Sequence, residues 1–276
     1  MKLVSYKGAD RPRVGRLDGE VVVPLRLPGA SIAAVLASAG PDGFAGADVD
    51  GEAIALDTLT LLPAVFDAPR IFCIGVNYEE HRLETGRERA SAPIVFLRTR
   101  ESQTAHGATI RIPPVTEKID YEGEIAAVIG RGGRAIAAAD AMAHVWGFSA
   151  YNDVSVRDWQ MHTGQWTPGK NFDGSGAFGP CVVTTDALPA DYRELRVSTR
   201  LNGETVQDAV AGDMIFSIPE QIAYISTFTA LLPGDVIVTG TPGGVGAKRT
   251  PPLFMRTGDV VEVEVSGIGT LRNVIG

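Results

Sequence analysis

Three carboxylates alternate in Asp120-Tyr121-Glu122-Gly123-Glu124, and the chain runs from them straight into Ile125-Ala126-Ala127-Val128-Ile129. On a strand, residues two apart share a face. The pattern therefore predicts three acids on one side of a strand, Ile119–Ile129, whose continuation is apolar. A dry interior does not accept such a set alone, because an uncompensated buried ion costs several kcal/mol. Either this strand end meets water, the plainer reading of the motif by itself, or a cation neutralises it. A further carboxylate comes from Tyr151-Asn152-Asp153, beside the charged and aromatic run Val154-Ser155-Val156-Arg157-Asp158-Trp159-Gln160. Glu122, Glu124 and Asp153 are the candidate metal ligands. An all-oxygen set suits a hard ion, one Mg²⁺ or Mn²⁺ per chain, better than zinc. Spacing alone does not bring Asp153 to Glu124, so that convergence is a demand on the fold.

His81 precedes Glu84 by three residues, close enough to touch on a helix. A carboxylate beside an imidazole fixes its tautomer and raises its basicity, which makes a general base. The alternative is a surface pair on a charged helix, since Asn77–Pro93 also carries Glu79, Glu80, Arg82, Arg87, Glu88 and Arg89. A third feature, Gly240-Thr241-Pro242-Gly243-Gly244-Val245-Gly246, follows an apolar strand. Such loops bring backbone N–H groups close to an anionic ligand, or simply turn at a sheet end. Gly164 to Asn171 nearly matches a phosphate-binding loop. Asn171 lacks the hydroxyl that motif needs, and neither the strand before nor the helix after is indicated. The motif is rejected as a nucleotide site, with Lys170 kept as a candidate donor to a substrate oxygen. His106, His144 and His162 lack ligand spacing and read as structural or surface residues. Trp146, Phe148, Trp159 and Trp166 read as packing or pocket wall.

These groups need elements to hold them. Asp18-Gly19 between Val14–Leu17 and Glu20–Val23, and Asn202-Gly203 between Val197–Leu201 and Glu204–Gln207, predict hairpins. Ser31 caps a helix that ends at Gly40, and Pro41 to Gly51 reads as a loop. Ser217-Ile218-Pro219-Glu220 is a capping box that launches a helix through Phe228. Strands are expected at 70–75, 94–97, 181–185, 236–239 and 260–265. Strands that dominate without regular alternation with long helices argue for an α+β, β-rich fold with mixed sheets. Residues 1–65 form a candidate small N-terminal α+β domain and residues 66–276 the metal-binding domain.

The formal net charge is −8, which repels polyanions, so nucleic acid is not an expected partner. An acidic small molecule would also be repelled, unless a metal or a few local cations receive it. Cys73 and Cys181 sit in apolar runs and read as free buried thiols. There is no apolar signal core at the start and no apolar run of the roughly 20 residues a membrane helix needs, so a cytoplasmic protein without a membrane partner is expected.

Over roughly residues 65–276 the sequence resembles the fumarylacetoacetate hydrolase family. The resemblance is carried by Gly75-Val76-Asn77-Tyr78 leading to His81, by Asp120-x-Glu122-x-Glu124, and by Tyr151-Asn152-Asp153 with Arg157-Asp158-x-Gln160. It continues through Lys170 with Phe172-Asp173, Gly179-Pro180, and Thr239-Gly240-Thr241-Pro242-Gly243-Gly244-Val245-Gly246, all in family order. It implies a β-rich mixed-sheet roll, a homodimer, and Mg²⁺ or Mn²⁺ on Glu122, Glu124 and Asp153. It implies a His81–Glu84 dyad on a segment that closes over substrate, with Arg157, Gln160, Lys170 and Thr241 on substrate oxygens and Asp120 behind the metal. Two departures fall near the expected pocket: Arg98-Thr99 where such families often carry Lys-Pro, and Ala177 where proline is common.

The leading expectation is hydrolysis of a 2,4-dioxo acid to a 2-oxo acid and a carboxylate. Water activated by His81 and Glu84 would attack, and Lys170 or Gln160 would steady the oxyanion. Decarboxylation of oxaloacetate, or keto–enol and double-bond isomerisation, uses the same groups without attacking water. A cation-binding protein without turnover is the non-enzymatic alternative.

Overall fold

The structure, a computed structural model, describes all 276 residues. An eleven-stranded mixed sheet forms its backbone. Its strands lie in the order Ile54–Ala55, Val21–Pro24, Pro12–Asp18, Lys2–Lys7, Gly176–Thr184, Val145–Asp153, Gly123–Ile129, Val236–Val238, Ile71–Gly75, Ile94–Arg98, with Gln103–Thr104 added in parallel beside Gly176–Thr184. A five-stranded sheet packs against it, in the order Glu204–Val210, Arg196–Leu201, Val260–Val265, Gly269–Ile275, Thr109–Ile110.

Strand Gly123–Ile129 explains why its sequence is a continuous apolar run. Ile125, Ala127 and Ile129 belong to the large core shared with Val197, Val261 and Val263 of the second sheet. Ala126 and Val128 belong to the other core, with Ile32, Val35 and Leu36 of helix Ile32–Ala39. Both faces are covered, so neither set can be polar. Residues 1–65 share this framework. Strand Lys2–Lys7 pairs antiparallel with Gly176–Thr184, Leu3 opposite Val182, and extends the same sheet.

Turn chemistry places the hairpins. Asn202 and Gly203 have φ of 53° and 84°, and both positive values are what a two-residue turn of this hand needs. In the first hairpin Asp18 pairs with Val21, so the turn is Gly19-Glu20, one residue later than expected, with the left-handed position on Gly19. Helix Ile218–Phe228 carries the full capping box, Ser217 and Glu220 each bonding the other's backbone amide. Pro41–Phe44 forms a short 3₁₀ turn within the expected loop.

One expectation fails at the centre of interest. Ile119–Ile129 is not one strand. Ile119–Asp120 pairs with Ser155–Val156 in a separate ribbon, and Gly123–Ile129 joins the large sheet. At Gly123 an added Cβ would lie 2.0 Å from the Thr199 hydroxyl, so the chain crosses the second sheet there at a distance only glycine allows.

Candidate active site

Strand pairing delivers the convergence that spacing could not. Gly123 lies opposite Asn152 and Glu124 opposite Tyr151, and the Asp153 amide donates to the Glu122 carbonyl at 2.8 Å. Directly opposed residues share a face, as do residues two apart on one strand. Glu122, Glu124 and Asp153 therefore point the same way, and their carboxylate oxygens approach within 4.8 Å of one another. All three are buried.

Three cations answer this charge. Lys170 Nζ donates to Glu122 Oε2 at 2.6 Å and to Asp153 Oδ2 at 2.5 Å. Arg157 pairs its Nη1 with Glu122 Oε1 at 2.6 Å and its Nε with Asp120 Oδ2 at 2.8 Å. Arg98 donates to Asp153 Oδ1 at 2.5 Å and to Ser175 Oγ. Glu124 has no cationic partner; its carboxylate accepts only the Gly240 amide, at 2.5 Å. The electrostatics follow. Burial would raise Glu122, but Lys170 and Arg157 pull it down to about 2. Burial, with Asp153 and Glu122 alongside, holds Glu124 well above the usual carboxylate range. Burial works against the Lys170 ammonium, yet Asp153 and Glu122 raise it on balance.

The donor set fits a divalent cation. Asp120, Glu122, Glu124 and Asp153 are four acids against three cations, Arg98, Arg157 and Lys170. Glu124 is the one acid without an ion pair, and its raised carboxyl keeps the proton, so the other three acids and the three cations balance. A divalent ion that displaced this proton would bring the group of seven from 0 to +1, and so make an anion-receptive point in a chain of net charge −8.

The proton-transfer group approaches from another element. His81 is buried on the short helix Glu79–Thr85, and its Nδ1 lies 2.6 Å from Glu84 Oε1. Glu84 Oε2 accepts the Gly244 amide at 2.9 Å. His81, Glu122, Glu124, Asp153, Arg157, Gln160, Lys170 and Thr241 line one cavity of about 270 Å³.

Several amides of the glycine-rich loop are taken by the protein's own carboxylates. Gly240 donates to Glu124, Gly244 to Glu84, and Gly246 to Asp120, whose other oxygen accepts Ala247 N. Gly240, which the loop motif offers as a substrate contact, gives its N–H to the candidate metal ligand Glu124 and so positions it. Asp120 likewise stands outside the triad and ties the loop to Arg157. The near-match to a phosphate loop also has a local cause. An added Cβ at Gly169 would lie 2.4 Å from the Gln160 backbone, so glycine lets the Thr167–Lys170 turn press close and deliver Lys170.

The family model for the fumarylacetoacetate (FAA) hydrolase C-terminal region matches residues 70–276. The chain belongs to the fumarylacetoacetate hydrolase family. Among relatives, the rat mitochondrial protein named oxaloacetate tautomerase Fahd2a is 41% identical over 218 residues, 79% of this chain and 69% of that protein. Oxaloacetate tautomerase YisK of Bacillus subtilis is 44% identical over 209 residues, 75% of this chain and 69% of that protein. Among solved structures, the fumarylacetoacetate hydrolase of Exiguobacterium antarcticum superposes with TM-score 0.87 at 33% identity, covering 100% of this chain and 99% of that one. A 2-hydroxyhepta-2,4-diene-1,7-dioate isomerase from Mycobacterium marinum gives 0.81 at 29%, covering 100% and 98%.

Within this family frame, three further residues hold the site together without being acids or bases. Gln207 accepts Gly123 N and donates to Thr241 Oγ1 and the Pro242 carbonyl, tying the acidic strand to the glycine loop. Asn77 bonds Thr239 O and both backbone groups of Phe216, and roots the His81 helix. Asn152 accepts the Glu122 amide. Arg98 and Ala177, the two departures from the family pattern, lie behind the cavity instead of lining it; Arg98 is entirely buried on Asp153. His106 and His144 make backbone bonds, His162 stacks on Trp159, and both cysteines are free and buried. Trp166 lines the cavity, while Trp146 packs on Phe44. No helix is long and apolar enough to cross a membrane.

Proposed function

We propose that this chain catalyses keto–enol tautomerisation of oxaloacetate or a closely similar 2-oxo acid, with one divalent cation, Mg²⁺ or Mn²⁺, on Glu122, Glu124 and Asp153. The observation that carries the reading is that a carboxylate-held imidazole, His81, lines the same small cavity as the acidic triad. The two relatives named as oxaloacetate tautomerases, each above 40% identity, support the choice of reaction.

Tautomerisation moves one proton from C3 to the 2-oxo oxygen, shifts the double bond from C2=O to C2=C3, and breaks no σ-bond between heavy atoms. Glu84 accepts the Nδ1 proton of His81, which leaves the Nε2 lone pair as base. Nε2 takes the C3 proton, the imidazolium is stabilised by Glu84, and the same proton returns to oxygen. A divalent cation, when bound, polarises the 2-oxo group as a Lewis acid. Arg157 and Lys170 hold positive charge at the ligand end of the cavity, where negative charge develops on the substrate oxygens. A cavity of about 270 Å³ sits at the small end of ligand sites and suits a short acid.

Hydrolysis of a 2,4-dioxo acid is the second reading, supported by the Exiguobacterium structure named as a hydrolase. It requires the same imidazole to activate water. Following decay of enol-oxaloacetate and cleavage of an acylpyruvate, with metal-stripped and Mn²⁺-loaded protein, separates the two. Metal-dependent enol decay without cleavage is the expected result. Cleavage with no effect on the enol would overturn the proposal.

A further inference from the structure

The solvent end of the cavity carries charge that proton transfer does not use. Helix Glu79–Thr85 stops at Gly86, whose φ of 68° lets its amide reach the Arg82 and Leu83 carbonyls. The next residue, Arg87, is clipped at both backbone groups: its N–H donates to the Arg82 carbonyl at 3.2 Å, and its own carbonyl accepts Arg82 Nη1 at 2.6 Å. This turn lays the Arg87 guanidinium over the Trp166 ring, 5.0 Å from the centroid. Trp166 is itself fixed, edge-on to Phe96 at 5.4 Å and so close to Gly75 that an added Cβ would meet its ring at 2.1 Å.

Arg87 and Lys248 both line the cavity, and neither guanidinium nor ammonium pairs with a carboxylate. Arg98, Arg157 and Lys170, by contrast, are each committed to the buried acids. Arg87 is half-buried and Lys248 exposed, whereas the triad is buried, so the uncommitted cations mark the outer end. A planar guanidinium held on an aromatic wall is preorganised for a carboxylate.

We propose that Arg87, seated on Trp166 and aided by Lys248, binds the distal carboxylate of the substrate and thereby selects 2-oxo dicarboxylates over 2-oxo monocarboxylates. This rests on the reading of the cavity as a 2-oxo acid site, but not on which reaction follows.

Binding is tested by calorimetry on the Mg²⁺-loaded full chain, with 2-oxoglutarate and 2-oxopentanoate as a pair that differs only in the distal group. Wild type should bind the dicarboxylate more tightly. Arg87→Gln should lose about tenfold for it, the scale of one charge-assisted hydrogen bond, and leave the monocarboxylate unchanged. Lys248→Gln, an exposed change that keeps the fold, should lose a smaller part of the same preference. Equal wild-type affinity for the two acids, or an equal loss for both in Arg87→Gln, overturns the inference. A dicarboxylate preference lost in Arg87→Gln, in a protein without tautomerase activity, would sink the proposed reaction and leave this inference standing. Tautomerase activity without the preference would do the reverse.

Discussion

Glu124, and Glu122 just before its strand, meet Asp153 of the adjacent strand in the middle of an eleven-stranded sheet, whereas His81 rides on a seven-residue helix outside it. The acids are over-determined: Lys170, Arg98, Arg157 and the Gly240 amide fix most of their oxygens. The helix is held by fewer ties, chiefly Asn77 at its root and the Glu84–Gly244 bond at its far side. Like charges a few ångströms apart keep their geometry only on a rigid support. A base that must admit and release substrate works from an element that can detach from one loop without disturbing the sheet.

Substitutions on the two sides should therefore fail in different ways. Asp153→Ala removes a candidate ligand, leaves the buried Arg98 without a carboxylate and leaves Lys170 with Glu122 alone. It should abolish metal binding in calorimetry and lower stability in denaturant unfolding by about 3–5 kcal/mol. His81→Ala should cut turnover by about 10²–10⁴, the usual worth of a positioned acid–base group, while metal affinity stays within about twofold. Parallel loss of metal binding in His81→Ala would erase the proposed division of labour. Gly246→Ala probes the join between the regions, since its Cβ would meet the Leu253 carbonyl at 1.9 Å. A stability loss of about 1–3 kcal/mol with a lowered metal affinity is expected.

The smallest effects are in pH. Glu124 is held above the usual range by burial and its acidic neighbours, and a cation must displace its proton. Metal affinity should rise with pH, by up to about tenfold per unit, with proton release seen as a buffer-dependent binding enthalpy. Glu122 acts oppositely. Its carboxyl is depressed to about 2, so it stabilises the fold above the ordinary carboxylate range and loses that contribution as pH falls from about 4 toward 2. Glu122→Gln should flatten that part of an acid-unfolding curve.

Much of this arrangement was legible in the chain. The Asn202-Gly203 turn and the Ser217 capping box are local signals and fall where expected. The period-two acids gave Glu122 and Glu124, and the spacing of three gave His81 and Glu84. What was hidden depends on register between distant strands. Asp153 meets Glu122 only because those strands pair as they do. The break between Ile119–Asp120 and Gly123–Ile129 is imposed by the second sheet at Thr199. Gln207 reads as an ordinary strand residue, and only its burial against Thr241 and Gly123 shows its task. The loop glycines signalled anion binding, and the anions are the protein's own carboxylates.

The central claim is that Glu122, Glu124 and Asp153 hold one hard cation. A Mn²⁺ titration followed by electron paramagnetic resonance, on wild type and on the combined variant Glu122→Gln, Glu124→Gln, Asp153→Asn, tests it directly, with the fold of each checked by circular dichroism. One tightly bound ion per chain is expected in wild type and none in a folded variant. Undiminished binding in the variant, or none in wild type, would contradict it.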